Sequence, residues 1–311
     1  MKTAEISRTP SSETPERKGS GLAVGACASE DTLRLWNNLE EMGLTTYAAE
    51  LEIKGYAVVP PSVTKIRKGW VEDTRNAIFK VAERRHGVTV SRSEQDGGFG
   101  IGITEDRGFG LTMSHIMFED PVFEEALLNP AALALAEVLV GRKGVISSSV
   151  GGLKGPGDSD LPLHTDALGL PAPFPSICPG INMTWALTPY TLDDGCLCVV
   201  PGSHKLFRHP LEGEGIEDRV AVEAEEGSLI MWGEYLWHGA FARRNKGIRA
   251  NLITSLQRPH MRSKEAWDDA PPERLSENAP RFAELVRPPW GWRHEGPPAD
   301  VFSYNVENAY D

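Results

Sequence analysis

The sequence predicts a mainly β protein with a β core wrapped by helices, and three observations carry that prediction. Short alternating or apolar runs, "INMTWALTPY", "CLCVVPG", "RVAVEAEEGSLIMWG" and "RANLITSLQ", crowd residues 181–257 and are separated by turns. Helical spacing is confined to the segments before and after them. The 31 glycines and 23 prolines supply turns at a density that suits a sandwich or barrel rather than a helical bundle.

The elements follow in order. "MKTAEISRTPSSETPERKGSG" is rich in Ser, Thr, Pro, Glu and Lys, so residues 1–28 are expected to form a disordered tail. It lacks the apolar core of a secretory signal, and no apolar run reaches membrane-span length, which points to a cytoplasmic protein. "SEDTLRLWNNLEEMG" places Leu33, Leu35, Trp36, Leu39 and Met42 at helical spacing, and Gly43 closes the helix. "GYAVVPP" reads as a short buried strand ended by prolines. From Ser62 to about His86 the pattern is helical, with Ile66, Trp70, Ile78 and Val81 on the core side. The Gly-rich stretches at 97–110 and 151–160 are expected to be loops and lid candidates. Between them, "DPVFEEALLNPAALALAEVLVG" reads as two helices split at Pro130, and "GVISSSVGG" as a strand. A charged helical stretch is expected around 271–287, and residues 29–311 are expected to form one domain.

The formal net charge of −12 disfavours nucleic acid and anionic membrane surfaces, which need a basic footprint. Cys27, Cys178, Cys196 and Cys198 are too few for a disulfide scaffold in 311 residues. Cys196 and Cys198 share a strand face, but no second Cys/His pair at zinc spacing accompanies them, so they read as small core residues.

The chemistry centres on "HTD". His164 and Asp166 stand two apart, which in extended chain puts both side chains on one face. His238 lies 72 positions after Asp166, so only a folded sheet can bring it to them. Two histidines and one carboxylate form the facial triad of non-haem Fe(II) oxygenases, which leaves coordination positions for a bidentate cosubstrate and for O₂. Arg249 follows His238 by 11 positions, and its guanidinium suits the distal carboxylate of 2-oxoglutarate. Arg243 and Arg244 read as solvated loop charges. His86 and His115 have no partners and read as non-catalytic; His204 in "PGSHK" is tempting as a ligand. Trp232 and Trp237 read as core residues, and Asn251, on the face of Arg249, reads either as a satisfied strand polar group or as a contact to cosubstrate or substrate.

The sequence resembles the phytanoyl-CoA dioxygenase-like branch of the Fe(II)/2-oxoglutarate-dependent oxygenases. The resemblance rests on "GYAVVPP", "HTD", "DDGCLCVVPGSHK" and "GSLIMWGEYLWHGAFARRNKGIRANLITSLQRP", and on their order from about Leu51 to Pro259. It implies a double-stranded β-helix (jelly-roll) core at about 144–258. It also implies iron on His164, Asp166 and His238, and a 2-oxoglutarate salt bridge from Arg249. It makes the "PGSHK" segment a structural turn, and only on that ground is His204 set aside as a ligand. Many relatives carry a small hydroxyl residue where this chain has Leu197. Thr184 and Trp185, with Ser148 and Asn182, are the candidates to replace it in cosubstrate binding. The carboxylate of Asp166 implies oxidation rather than halogenation, since halogenating relatives carry Gly or Ala there. The expected activity is oxidation, foremost hydroxylation, of an unactivated C–H bond in a small natural-product or lipid-like molecule, with release of succinate and CO₂. Two rivals share the residues: a Zn or Mn hydrolase or isomerase, and a non-catalytic jelly-roll binding protein.

Overall fold

The computed structural model describes residues 30–91, 100, 110–157 and 159–286. The expected tail at 1–28 and most of the Gly-rich stretch at 97–110 lie outside the described residues.

The chain opens with helices α1 (Glu30–Glu41) and α2 (Thr45–Lys54), strand β1 (Tyr56–Val59), and helices α3 (Pro61–Thr64) and α4 (Trp70–His86). Strand β2 (Leu111–Ser114) and helices α5 (Val122–Leu127) and α6 (Pro130–Val140) follow. The β core comprises β3 (Val145–Lys154), β4 (Leu161–His164), β5 (Gly180–Ala186), β6 (Leu197–Val199), β7 (Val220–Val222), β8 (Leu229–Gly233), β9 (His238–Ala240) and β10 (Arg249–Gln257). Helices α7 (Pro272–Glu277) and α8 (Pro280–Val286) close the described chain.

The strands form a six-stranded sheet, β1-β8-β5-β10-β3-β2, and a four-stranded sheet, β4-β9-β6-β7. The interleaved strand order of two antiparallel sheets is that of a double-stranded β-helix. The large sheet has two different faces because side chains alternate along each strand. On β5, Ile181, Met183 and Trp185 join the core under the helices, while Asn182 and Thr184 face the opposite way, into the space between the sheets. Trp185 meets Trp70 of α4 edge-on at 5.0 Å, a contact that adds about 1 kcal/mol to the burial of both rings.

Two expectations need correction. The single helix expected over 62–86 is α3 and α4, separated at Lys65–Gly69, where Lys65 (φ 53) and Gly69 (φ 82) turn left-handed and end the α3 pattern. Ile66 therefore packs on the core from the connection, not from a helix face. The loop expected from residue 151 is in fact the second half of β3. Gly151 and Gly152 pair with Leu252 and Asn251, and a Cβ on Gly152 would collide with Oδ1 of Asn251, so close approach of strands explains these glycines. Strand β2 and helix α2 carried no signal used in the sequence reading. The helical pair split at Pro130 is present as α5 and α6, with Asn129 Oδ1 accepting from the backbone N–H groups of Ala131 and Ala132 at 3.1 Å.

The cysteines match the core reading among the described residues. Burial pushes the Cys196 thiol up to about 12 and the Cys198 thiol up to about 11, so both stay protonated at neutral pH. No described helix is long and apolar enough to cross a membrane.

Candidate metal centre and its cleft

His164 ends β4 and His238 begins β9, and antiparallel pairing sets the two residues directly opposite each other. Gly239 is what lets these strands close up, because a Cβ there would collide with the carbonyl oxygen of Leu161. Asp166 sits in the turn after β4, where its backbone N–H donates to the Glu234 carbonyl at 3.0 Å. The Thr165 hydroxyl between the two ligand candidates lies 2.7 Å from Nδ1 of His209, which steadies the same turn.

One nitrogen, one carboxylate oxygen and one further nitrogen from His164, Asp166 and His238 lie within 4.8 Å of one another. Asp166 Oδ1 is 3.8 Å from Nε2 of His164, and Oδ2 is 3.4 Å from Nε2 of His238. Both rings are oriented from behind. His164 Nδ1 lies 2.8 Å from the Pro162 carbonyl and His238 Nδ1 lies 2.9 Å from the Leu236 carbonyl. A carbonyl only accepts, so both Nδ1 atoms donate and both Nε2 lone pairs are left for a metal.

The electrostatics favour that state at Asp166 and His164. Burial works against ionised Asp166, but His238 beside it and Lys264 outweigh this and hold its carboxyl well below the usual carboxylate range. Burial and the neighbouring His238 push His164 down, towards the neutral ligand form. Burial opposes protonation of His238, yet the adjacent Asp166 carboxylate raises it in the metal-free protein. Two neutral imidazoles and one carboxylate are a fitting donor set for a divalent first-row metal.

The centre lines a cleft of about 890 Å³, counted with its open mouth. Four buried polar atoms on its walls have no hydrogen-bond partner: Thr184 Oγ1, Trp232 Nε1, Arg249 Nε and Asn251 Oδ1. Each such atom costs about 1–3 kcal/mol if it stays unpaired, so these walls suit a polar occupant. Arg249 is only 7% exposed; its guanidinium lies 4.9 Å above the Tyr190 ring and donates to the Gly195 carbonyl. Nε, buried and without a partner, is one of the guanidinium donors that suit an incoming carboxylate.

The structure brings His164, Asp166, His238, Arg249 and Thr184 into this one cleft, together with Ser148, Asn182 and Asn251. It does not bring Trp185 there. One residue on from Thr184, Trp185 points to the opposite face of β5 and packs under the helices, so it cannot reach a ligand in the cleft. Arg243 also departs from expectation. It is buried, not solvated: it pairs with Asp194 at 2.9 Å and caps the carbonyls of Lys246 and Gly247, while Arg244 is exposed as expected. Of the histidines set aside, His115 stacks on Trp267 at 4.7 Å and His204 lies against Gly55, away from the cleft.

Sequence reasoning missed Lys264 and Tyr190. Lys264 lines the cleft and pairs with buried Glu234 at 2.9 Å. It is held there because the next residue, Glu265, accepts from the backbone N–H groups of His115 and Ser149, both at 2.8 Å. No motif in "RSKEAW" signals this, since the placement depends on β2 and β3.

The sequence model of the family described as phytanoyl-CoA dioxygenase matches residues 52–251. Among curated proteins, the dioxygenase af480 of Aspergillus fumigatus is 31% identical over 171 residues, covering 54% of this chain and 55% of that protein. The dioxygenase cdmD of Talaromyces verruculosus is 30% identical over 114 residues, covering 36% of each chain. The chain thus spans about half or less of the length of these relatives. Among solved structures, the carbocyclase SnoK from nogalamycin biosynthesis superposes with a TM-score of 0.55 at 20% identity, covering 75% of this chain and 90% of SnoK. HygX from Streptomyces hygroscopicus, solved with nickel and 2-oxoglutarate, gives 0.53 at 19% identity, covering 70% of this chain and 88% of HygX. At these identities the structural likeness speaks for the fold.

Proposed function

This chain belongs to the phytanoyl-CoA dioxygenase family, and from that premise we propose that it is an Fe(II)- and 2-oxoglutarate-dependent dioxygenase acting on a small organic substrate. The observation that carries the reading is the pairing within one cleft of a convergent His-Asp-His centre and a buried arginine with a free donor. His164, Asp166 and His238 would hold the iron, and Arg249 would hold the distal carboxylate of 2-oxoglutarate. The Thr184 hydroxyl, buried and unpartnered, would donate the hydrogen bond that Leu197 cannot. When bound, the iron, 2-oxoglutarate and O₂ supply an oxidant for an unactivated C–H bond, with succinate and CO₂ released.

The protein's own residues contribute orientation and water exclusion. Trp232 and Leu197 wall the inner cleft, and both are nearly inaccessible. His164 is the most open of the three ligand candidates, with 36% of its side chain exposed against 5% for His238, so substrate would approach on its side. Leu161 and Ile253 give the cleft apolar walls, while Asn251, Ser148 and Thr112 supply polar contacts. That mixture suits an oxygenated natural-product or lipid-like molecule, and hydroxylation is the proposed outcome. Residues 29–311 would act as one catalytic domain, with the jelly-roll core at about 144–258.

The test is anaerobic addition of Fe(II) and 2-oxoglutarate, followed in the visible range. The expected result is the weak charge-transfer band of a 2-oxo acid chelated to Fe(II). Metal-loaded protein without that band would favour a hydrolase or isomerase on the same ligands. Arg249→Gln is expected to keep the metal but raise the KM for 2-oxoglutarate by about 10–100-fold, the size of a lost hydrogen bond to a charged group. Arg249→Lys should recover part of the loss, because a point charge replaces the fork. An unchanged KM in Arg249→Gln would remove Arg249 from the cosubstrate site.

A further inference from the structure

We propose that Asn182 and Ser255 are positioning residues that restrain the Asp166 carboxylate so that it offers one oxygen, not two, to the metal. The inference rests on the iron-site reading above. Asn182 on β5 and Ser255 on β10 are direct cross-strand partners, and both are almost fully buried, at 3% and 2% exposure. Asn182 Nδ2 donates to Asp166 Oδ2 at 2.6 Å, and Ser255 Oγ donates to Asn182 Oδ1 at 2.5 Å.

Chemistry sets the direction of this chain of bonds. An ionised carboxylate only accepts, so the amide must turn its NH₂ to Asp166. The amide oxygen is then left facing Ser255, whose hydroxyl is free to rotate and donate. The carboxylate thus fixes which way the amide faces, Ser255 anchors the other end of the amide, and the anchored amide keeps the carboxylate from turning. Asp166 needs such a restraint. It sits in a turn, and its backbone bond to Glu234 fixes the main chain without fixing the side-chain torsions.

A buried polar pair in a sheet is costly unless every group is satisfied, and packing alone would be served better by apolar residues. Here the pair is satisfied only because it ends on the carboxylate. A carboxylate with both oxygens free can chelate and occupy two coordination positions. Engaging Oδ2 favours single-oxygen binding, and leaves room for a bidentate 2-oxo acid and O₂.

Co(II) serves as the probe, with affinity read by competition against a chelating dye and ligand field read by visible absorption. Asn182→Leu keeps the volume and removes the donor. It is expected to weaken Co(II) binding by about 10–100-fold, the usual effect of losing an outer-shell partner, and to shift the absorption bands. Ser255→Ala leaves the amide in place but unanchored, and should give a smaller loss in the same direction with a band shift. Parent-like affinity and spectrum in both variants would overturn the inference and leave the iron-site reading standing. If Asn182→Leu does not fold, Ser255→Ala decides alone by the same two readouts. Failure of the parent protein to bind Co(II) would overturn the iron-site reading, and this inference with it.

Discussion

Replacing His238 with alanine is expected to remove metal binding and turnover together, with turnover falling on the order of 10⁴-fold, as when one member of a unit that acts jointly is deleted. His238 is the buried ligand of the centre; its side chain is 5% exposed, and its ring packs between His164 at 4.3 Å and Trp232 at 5.2 Å. Water cannot easily take the place of a ligand so enclosed. Two ligands would remain, one of them the more exposed His164, and that pair cannot present a three-point face. Truncation also opens a cavity in the small sheet, so the fold must be checked beside the chemistry. His238→Gln fills most of that volume and donates no imidazole nitrogen. The measurements are metal content after anaerobic reconstitution, succinate released per protein, and thermal unfolding. Loss of metal and succinate in a folded Gln variant is the expected pattern; retention of both would place the chemistry elsewhere.

The strands and the centre were legible in sequence for different physical reasons. The strands could be read because burial on one face leaves an alternating pattern, and Gly and Pro punctuate it. The centre could be read because His-x-Asp, a distant "WHG" and "GIRANL" occur in a fixed order. Alternation also contained the correction to Trp185: if Thr184 faces the cleft, its neighbour faces the helices. What could not be read depends on partners remote in sequence. Gly151 and Gly152 look like a loop until β10 is laid beside them with Asn251 in the way. Lys264 reaches the cleft only because Glu265 is tied to the backbone of β3 and of His115, just beyond β2. Helix α2 is short and has no side-chain cap at its N-terminus, so no local signal marks where it begins.

Arg243 is the most consequential misreading, and it explains why "DDGCL" has its composition. Replacing Asp194 with alanine is expected to lower unfolding free energy by about 3–5 kcal/mol, because a buried guanidinium would lose its counter-charge. Asp194 and Arg243 have side chains exposed by only 7% and 5%. Asp194 Oδ1 also accepts from Asn245 at 2.8 Å, and Oδ2 from the Thr191 hydroxyl at 2.7 Å. Burial opposes ionisation of Asp194, yet Asn245, Thr191 and Arg243 hold its carboxyl below the usual range. Replacing both members, as Asp194→Leu with Arg243→Met, should cost much less than Asp194→Ala alone, since no unpaired charge is left. Denaturant titration of the single and double variants measures this, and equal losses in the two would exclude the pair as the cause. The next residue carries the effect to the cleft. Gly195 (φ 72) has no room for a Cβ, which would lie 2.8 Å from the Phe241 carbonyl, and its own carbonyl accepts from the Arg249 guanidinium. The pair Asp194–Arg243 therefore holds the turn on which Arg249 rests. In the folded fraction of Asp194→Ala, the KM for 2-oxoglutarate should rise while Co(II) affinity stays unchanged, because the three ligands stand on other elements.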